Sequence, residues 1–308
     1  LTDQTCYVET DLSGAEWVVT AYCCGDPNMI LVAESGESPH PQTGELISGA
    51  PKSFILFEEG HIGHLTDAVT IAEVRAKHLP DTWEGIPIDD FFLPRTMSIR
   101  QCGKKANHGL NYREEYATFA LTSGLDEKDA KTIIAAYRGE HGNTPSEDAL
   151  VAYPELRKWY HEIEESLRSD NRTLNNCYGQ TRQFLDKWGQ RLFNQATAFI
   201  PQSTVGNITN RAMRGIYHYG NDRIALGAQV HDSLLTHHKF SSFDELADQI
   251  RFVGECFNMP ITYRDVTFSL NRDVTLGVNW GARAMIAPSS LQPSSLETAY
   301  LSSLEASA

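Results

Sequence analysis

The chain has 308 residues, 40 acidic and 26 basic side chains, a formal net charge of −14 and a 41% hydrophobic composition. That apolar share suffices for a sizeable core in one large domain or two smaller ones. It contains no apolar run of about 18 residues that would cross a membrane and no basic leader followed by an apolar stretch. Its six cysteines form no CxxC pair and read as reduced, intracellular thiols of a cytoplasmic protein. Taken as a total, −14 argues against a phosphate-rich partner, but a binding surface is local. Residues 1–91 hold 16 acids against three bases, whereas 92–111 carries Arg95, Arg100, Lys104 and Lys105 with no acid at all. A second basic region runs through Arg172, Arg182, Lys187 and Arg191 to Arg211 and Arg214.

In chain order, residues 7–22 predict a strand ending near Asp11 and a helix from about Ser13, with Ser13 as N-cap and Glu16 in capping-box position. The Gly/Pro/Ser-rich stretch 34–52 reads as an irregular insertion. A helix is predicted over 65–78, a Pro-rich loop over 80–94, and helices over 94–112 and 126–137. Pro154 suits a first helical turn, and Leu156, Trp159, Tyr160, Ile163 and Leu167 then make one apolar stripe. A helical stretch around 190–217 contains the breaker Pro201. Residues 223–236 read as strand, tight turn and strand, with His231 and Asp232 in the turn. The last 20 residues, with seven serines, read as a loose tail. The interleaving of helices and strands predicts a mixed α/β, α+β body.

Two features carry chemistry. Asp11 closes an apolar strand and Asp232 lies in a turn between β-rich segments. If those strands are neighbours, their carboxylates can share hard cations, since Mg²⁺ is commonly held by one or two carboxylates together with substrate phosphates. The second feature is Arg100, Lys104, His108 and Tyr112, spaced four apart and therefore on one slanted helical face. A guanidinium fork and an ammonium suit phosphates, a ring can stack on a base, and Gly103 and Gly109 allow close approach.

At this point the residues resemble a family. Asp11-Leu-Ser-Gly-Ala-Glu16, then Arg100-xxx-Lys104-xxx-His108-Gly-xx-Tyr112, then Val230-His-Asp232 follow the order of motifs A, B and C of family A DNA polymerases, including bacteriophage replicases. YPELRKWYHEIEESLR, NNCYGQTRQF and IPQSTVGNI between B and C are similar to that family as well. The resemblance implies a right-hand polymerase: an antiparallel palm sheet with helices, helical fingers, and no thumb within this chain. Residues 1–93 would be palm with motif A and an insertion, 94–150 fingers, 151–286 palm with motif C, and 287–308 the tail.

The implied activity is template-directed DNA synthesis, by transfer of a nucleotidyl group from a dNTP to a primer 3′-hydroxyl in replication or repair. Asp11 and Asp232 would hold two Mg²⁺ ions, with Mn²⁺ a possible substitute. Arg100 and Lys104 would bind the triphosphate and stabilise charge developing on pyrophosphate. Glu16, packed with Tyr112, would exclude ribose at the sugar 2′ position, and His108 would stack. His231 would lie near the primer terminus, Gln202 would read minor-groove acceptors, and Arg182 would contact the DNA backbone. Partners would be primer–template DNA, dNTPs and a separate segment carrying the thumb, in the host cytoplasm if the protein is viral.

The chain departs from the family pattern in three places. His108 stands where Phe or Tyr is usual, which predicts an added pH dependence and altered discrimination at the 3′ position. Ser233 follows Asp232 where DNA polymerases of this family usually have Glu. Single-subunit phage-type RNA polymerases resemble VHDS here, so RNA synthesis is an alternative that Glu16 opposes. Only ten residues precede Asp11, which leads us to expect a fragment or split subunit with weak grip on duplex DNA. A non-catalytic nucleic-acid-binding relative is the alternative of another class. His61-Ile-Gly-His64 spells a signature of class I aminoacyl-tRNA synthetases, but no lysine loop of theirs follows it. His61, His64, His237 and His238 read as exposed loop histidines rather than metal ligands.

Overall fold

The computed structural model describes residues 4–139, 151–169, 171–281, 283–286 and 290–307. It begins with β1 (Gln4–Leu12), α1 (Ala15–Cys24), α2 (Pro27–Ser35), α3 (Pro39–Ser48), α4 (Lys52–Ile62) and α5 (Ala68–His78). A short ribbon, β2 (Thr82–Trp83) and β3 (Ile86–Pro87), leads to α6 (Ile99–Gly109), α7 (Tyr116–Ser123), α8 (Glu127–Arg138) and α9 (Glu155–Ser169). Then come the ribbon β4 (Thr173–Asn175) and β5 (Thr181–Gln183), α10 (Gln190–Tyr219), β6 (Ile224–Val230), β7 (Ser233–Phe240) and α11 (Phe243–Phe257). The last elements are β8 (Ile261–Tyr263), β9 (Val266–Phe268), β10 (Arg272–Gly277), β11 (Ala284–Ile286) and α12 (Pro293–Glu305). Residues 140–150, at the end of the segment expected to form fingers, lie outside the described residues.

The chain divides into two compact units. One comprises 1–16, 176–180 and 201–308, the other 17–175 and 181–200. These boundaries cut across the four sequence segments, because residues 17–93 share a unit with α6.

The first unit is built on a five-stranded sheet in the order β11-β10-β1-β7-β6, antiparallel throughout. Along β1 the side chains alternate, with Cys6, Val8, Thr10 and Leu12 buried and Tyr7, Glu9 and Asp11 half-buried on the opposite face. The period of two sends Cys6 and Val8 into a core with Phe240, Leu246, Ile250, Val274 and Leu276. Leu296, Ala299 and Tyr300 of α12 complete that core. The Ser-rich tail is therefore corrected: 293–305 is a helix begun by Pro293 in its first turn, and its few apolar residues are well spaced for one face.

The second unit is largely helical. The stripe Leu156, Trp159, Tyr160, Ile163 and Leu167 is buried on α9, as its spacing predicted. The supposed irregular insertion is corrected as well, since 34–52 contributes α3 and the start of α4. Ser38 caps α3 with Pro39 behind it, and Gly49, at φ 73°, ends it. Helices α3 and α6 meet at glycine: a Cβ on Gly103 would lie 2.3 Å from the His40 carbonyl oxygen and 2.8 Å from the Gly44 nitrogen. We expect Gly103→Ala to cost about 1–3 kcal/mol through backbone displacement, read as a lowered midpoint in denaturant unfolding.

Other boundaries shift for local reasons. Helix α1 starts at Ala15, after Gly14 at φ 57°, so Ser13 is not its cap; its amide donates to Asn271 O at 3.0 Å. Helix α6 starts at Ile99, not Pro94, with Ser98 as N-cap accepting from the Gln101 amide at 3.1 Å. Helix α10 runs through Pro201, where buried Ile200, Thr204, Val205 and Ile208 offset the missing N–H.

Candidate active site

In the first unit, β1 and the β6–β7 hairpin bring two carboxylates together from opposite ends of the sequence. Asp11 pairs in register with Ser233 on β7 and with Asp273 on β10. Asp232 occupies the two-residue turn closed by the Val230–Ser233 pair, in which His231 adopts φ 53°. Left-handed backbone at a histidine is uncommon and marks a turn held by its surroundings. Asp232 directly precedes Ser233, the register partner of Asp11, and the Asp11 carboxyl is pushed up to about 6 by burial first, then by Asp232 and Asp273. Like charges at close range raise a carboxyl in this way, and a cation between them would reverse the effect.

Oxygen-only donors of this kind fit a hard divalent cation. Among the described residues no three His, Cys, Asp or Glu side chains meet closely enough to hold a metal alone, so the pair would need substrate oxygens to complete a shell.

In the second unit, α6 buries Ile99, Cys102, Gly103, Ala106 and Asn107. The opposite stripe carries Arg100, half-buried, and Lys104 and His108, both exposed; Tyr112 follows in a 3₁₀ turn, half-buried. Acidic α4 holds the start of this helix. Glu58 accepts from the Ile99 amide at 2.8 Å, and Glu59 accepts from Ser98 and lies 3.5 Å from the Arg100 guanidinium. Part of the acidity before residue 92 is thus placed at a helix N-terminus, where the backbone dipole favours negative charge.

Sequence reasoning passed over His40, on α3. Its ring centroid lies 5.9 Å from that of His108, and its Nδ1 is 3.3 Å from the Asn107 amide nitrogen. It is pushed down to about 4 by burial and then by His108, Arg100 and Lys104, so it belongs to the same positive field. The spacing could not reveal it, because helix packing rather than periodicity brings α3 to α6. Asp273 and Glu9 were passed over too. Only the period-two spacing of Glu9 and Asp11 on β1 hinted that they share a face.

The remaining expected residues are spread across the two units. Glu16, His231 and Gln202 belong to the first, with Glu16 half-buried and the other two exposed. Arg182 belongs to the second, exposed on β5, with its guanidinium 4.8 Å from the Phe184 ring centroid. Of the histidines expected to be exposed in loops, His64 is exposed in a turn and His61 is exposed at the end of a helix. His237 and His238, however, lie on β7 and need correction. His238 is buried on β7 between Thr236 and Gln249, and burial pushes it down to about 4. His237 packs on Tyr7 at 5.0 Å, and His61, near the end of α4, stacks on His78 at 4.5 Å.

No family model and no curated protein sequence matches this chain. Its structure is similar to the POL domain of Pol1 from M. smegmatis, solved in complex with DNA primer-template and dNTP. The TM-score is 0.60 with 18% identity, covering 90% of this chain and 40% of that one. At that identity the likeness establishes a polymerase-domain fold, mixed α+β with the five-stranded antiparallel sheet. The chain spans well under half the length of the structure it resembles. No helix among the described residues is long and apolar enough to cross a membrane.

Proposed function

We propose that this chain is the catalytic part of a family A type DNA polymerase, transferring a nucleotidyl group from a dNTP to a primer 3′-hydroxyl. The meeting of Asp11 with Asp232 at the end of a polymerase-like sheet carries the reading. In the reaction the primer 3′-oxygen bonds to the α-phosphorus, the bond to pyrophosphate breaks, and the hydroxyl proton leaves to solvent. The chain's own residues bind and orient. Asp11 and Asp232 would hold two Mg²⁺ ions, which when bound would neutralise phosphate charge and activate the attacking oxygen. Arg100, Lys104 and His40 would receive the triphosphate, with Arg100 exchanging Glu59 for phosphate oxygens. His108 and Tyr112 would support base and sugar, and Glu16 would close the space beside the 2′ position. His231, Gln202 and Arg182 would contact primer–template DNA.

The test is extension of a primed template by the purified chain with Mg²⁺, using deoxy- and ribonucleotides in separate reactions. Deoxynucleotide incorporation supports the proposal, and a ribonucleotide preference would instead favour RNA synthesis, the reading that Ser233 suggests. In the same assay, Glu16→Ala is expected to narrow the deoxy-over-ribo preference by about tenfold or more, a change of roughly 1.4 kcal/mol in discrimination. Unchanged sugar selection in that variant would remove Glu16 from the gate.

A further inference from the structure

We infer that Glu9 is a positioning residue for the turn that carries Asp232, acting through Ser233 and held by Arg283; this rests on the polymerase reading of the site. The need for such a residue follows from the backbone. Asp11 sits in a strand paired on both sides, so the sheet itself fixes it. Asp232 instead sits in a two-residue turn beside a left-handed His231 and gains no such support.

Ser233, 3% exposed, closes that turn, and its hydroxyl lies 2.9 Å from Glu9 Oε1 and 3.0 Å from Val230 O. One proton serves two acceptors, and the carboxylate is the stronger. The other Glu9 oxygen is ion-paired with Arg283, beside β11. A charged chain therefore crosses the sheet from Arg283 through Glu9 to the turn, on the face that carries Asp11. All its members belong to the first unit.

This arrangement accounts for the serine. A carboxylate at position 233 would face Glu9 directly, with Arg283 as the cation paired there. The negative charge expected after Asp232 is supplied from β1 instead, and Ser233 links it to the turn. The two positions should accordingly behave as one unit.

Hydrogen exchange of residues 230–235 in the metal-free chain tests the inference without any activity. Glu9→Gln leaves Arg283 unpaired and weakens the bond to Ser233, and Ser233→Ala removes it. Each is expected to speed exchange at the turn by about tenfold, and the double variant no more than either single one. Calorimetric Mn²⁺ affinity should fall in parallel, and in extension kcat should drop with KM for dNTP unchanged. Ser233→Glu should weaken Mn²⁺ binding, and adding Glu9→Ser should restore it. Unchanged exchange in Glu9→Gln, or losses that simply add in the double variant, would overturn the inference. A chain that shows the coupled exchange but extends no primer would sink the polymerase reading and leave Glu9's role standing.

Discussion

Asp232→Asn is expected to reduce primer extension by about a thousandfold while leaving the chain folded. The magnitude follows from the cation's share. A metal at a transferring phosphoryl group contributes several kcal/mol of charge stabilisation, and each ~1.4 kcal/mol is tenfold in rate. The amide keeps the shape of the turn but removes one of two charges. A second readout separates lost chemistry from lost structure. In the metal-free chain the Asp11 carboxyl stands at about 6, raised by burial, Asp232 and Asp273, from an ordinary 3.8. Between these values the folded state holds a proton that the unfolded chain has released. This group's contribution to stability is therefore full below about 4 and lost as pH rises through about 6. Asp232→Asn should flatten that part of the thermal-stability profile relative to the unmutated chain. Added Mg²⁺ or Mn²⁺ should raise the melting temperature of the unmutated chain more at pH 7.5 than at pH 5, because protons compete for the same oxygens. Equal stabilisation at the two pH values would argue that the cation binds elsewhere.

Much of this site could be read from residue order because its chemistry is periodic. The four-residue spacing from Arg100 to His108 is a property of local geometry, and these side chains lie opposite the buried face of α6, with Tyr112 following beyond the helix in a 3₁₀ turn. What stayed hidden is set by packing. His40 joins the cationic stripe only because Gly44 and Gly103 let two helices touch, and nothing in the spacing of PHPQTG announces that contact. The region 34–52 did carry its own signals, with Ser38-Pro39 at one end of α3 and Gly49 at the other. Richness in proline, glycine and serine obscured them, because the same residues that fill loops also start and stop helices. The C-terminal serines misled in the same way, since Leu296, Ala299 and Tyr300 suffice to fasten α12 when a sheet already offers an apolar face. Ser233 was visible as a departure, but its link to Glu9 depends on strand pairing and could not be read along the chain.

The largest stability effect is expected away from the carboxylates, at Arg75. Its guanidinium meets Glu58 at 2.9 and 2.5 Å and reaches the carbonyl oxygens of Pro94 at 2.6 Å and Met97 at 3.0 Å. The Glu58 side chain is fully buried and that of Arg75 only 12% exposed, and the free Glu58 oxygen caps the Ile99 amide at the start of α6. Arg75→Met would strand a buried carboxylate, at a cost of about 3–5 kcal/mol, a large share of the roughly 5–15 kcal/mol that holds a domain folded. Burial already lifts the Glu58 carboxyl above its ordinary value although Arg75 and the Ile99 amide pull it down. Without the guanidinium it should rise further and take up a proton. The variant should therefore recover stability as pH falls, and lose it again as pH rises through the raised value. The double variant Arg75→Met with Glu58→Met should be less damaged than Arg75→Met alone, since two apolar groups need no partner. If the single and double variants lose stability equally and without pH dependence, the pair is only a packing contact. If they behave as expected, the acid-rich segment before residue 92 has a definite task. It fixes the start of the helix that presents Arg100 and Lys104, and KM for dNTP should rise in Arg75→Met in step with the lost stability.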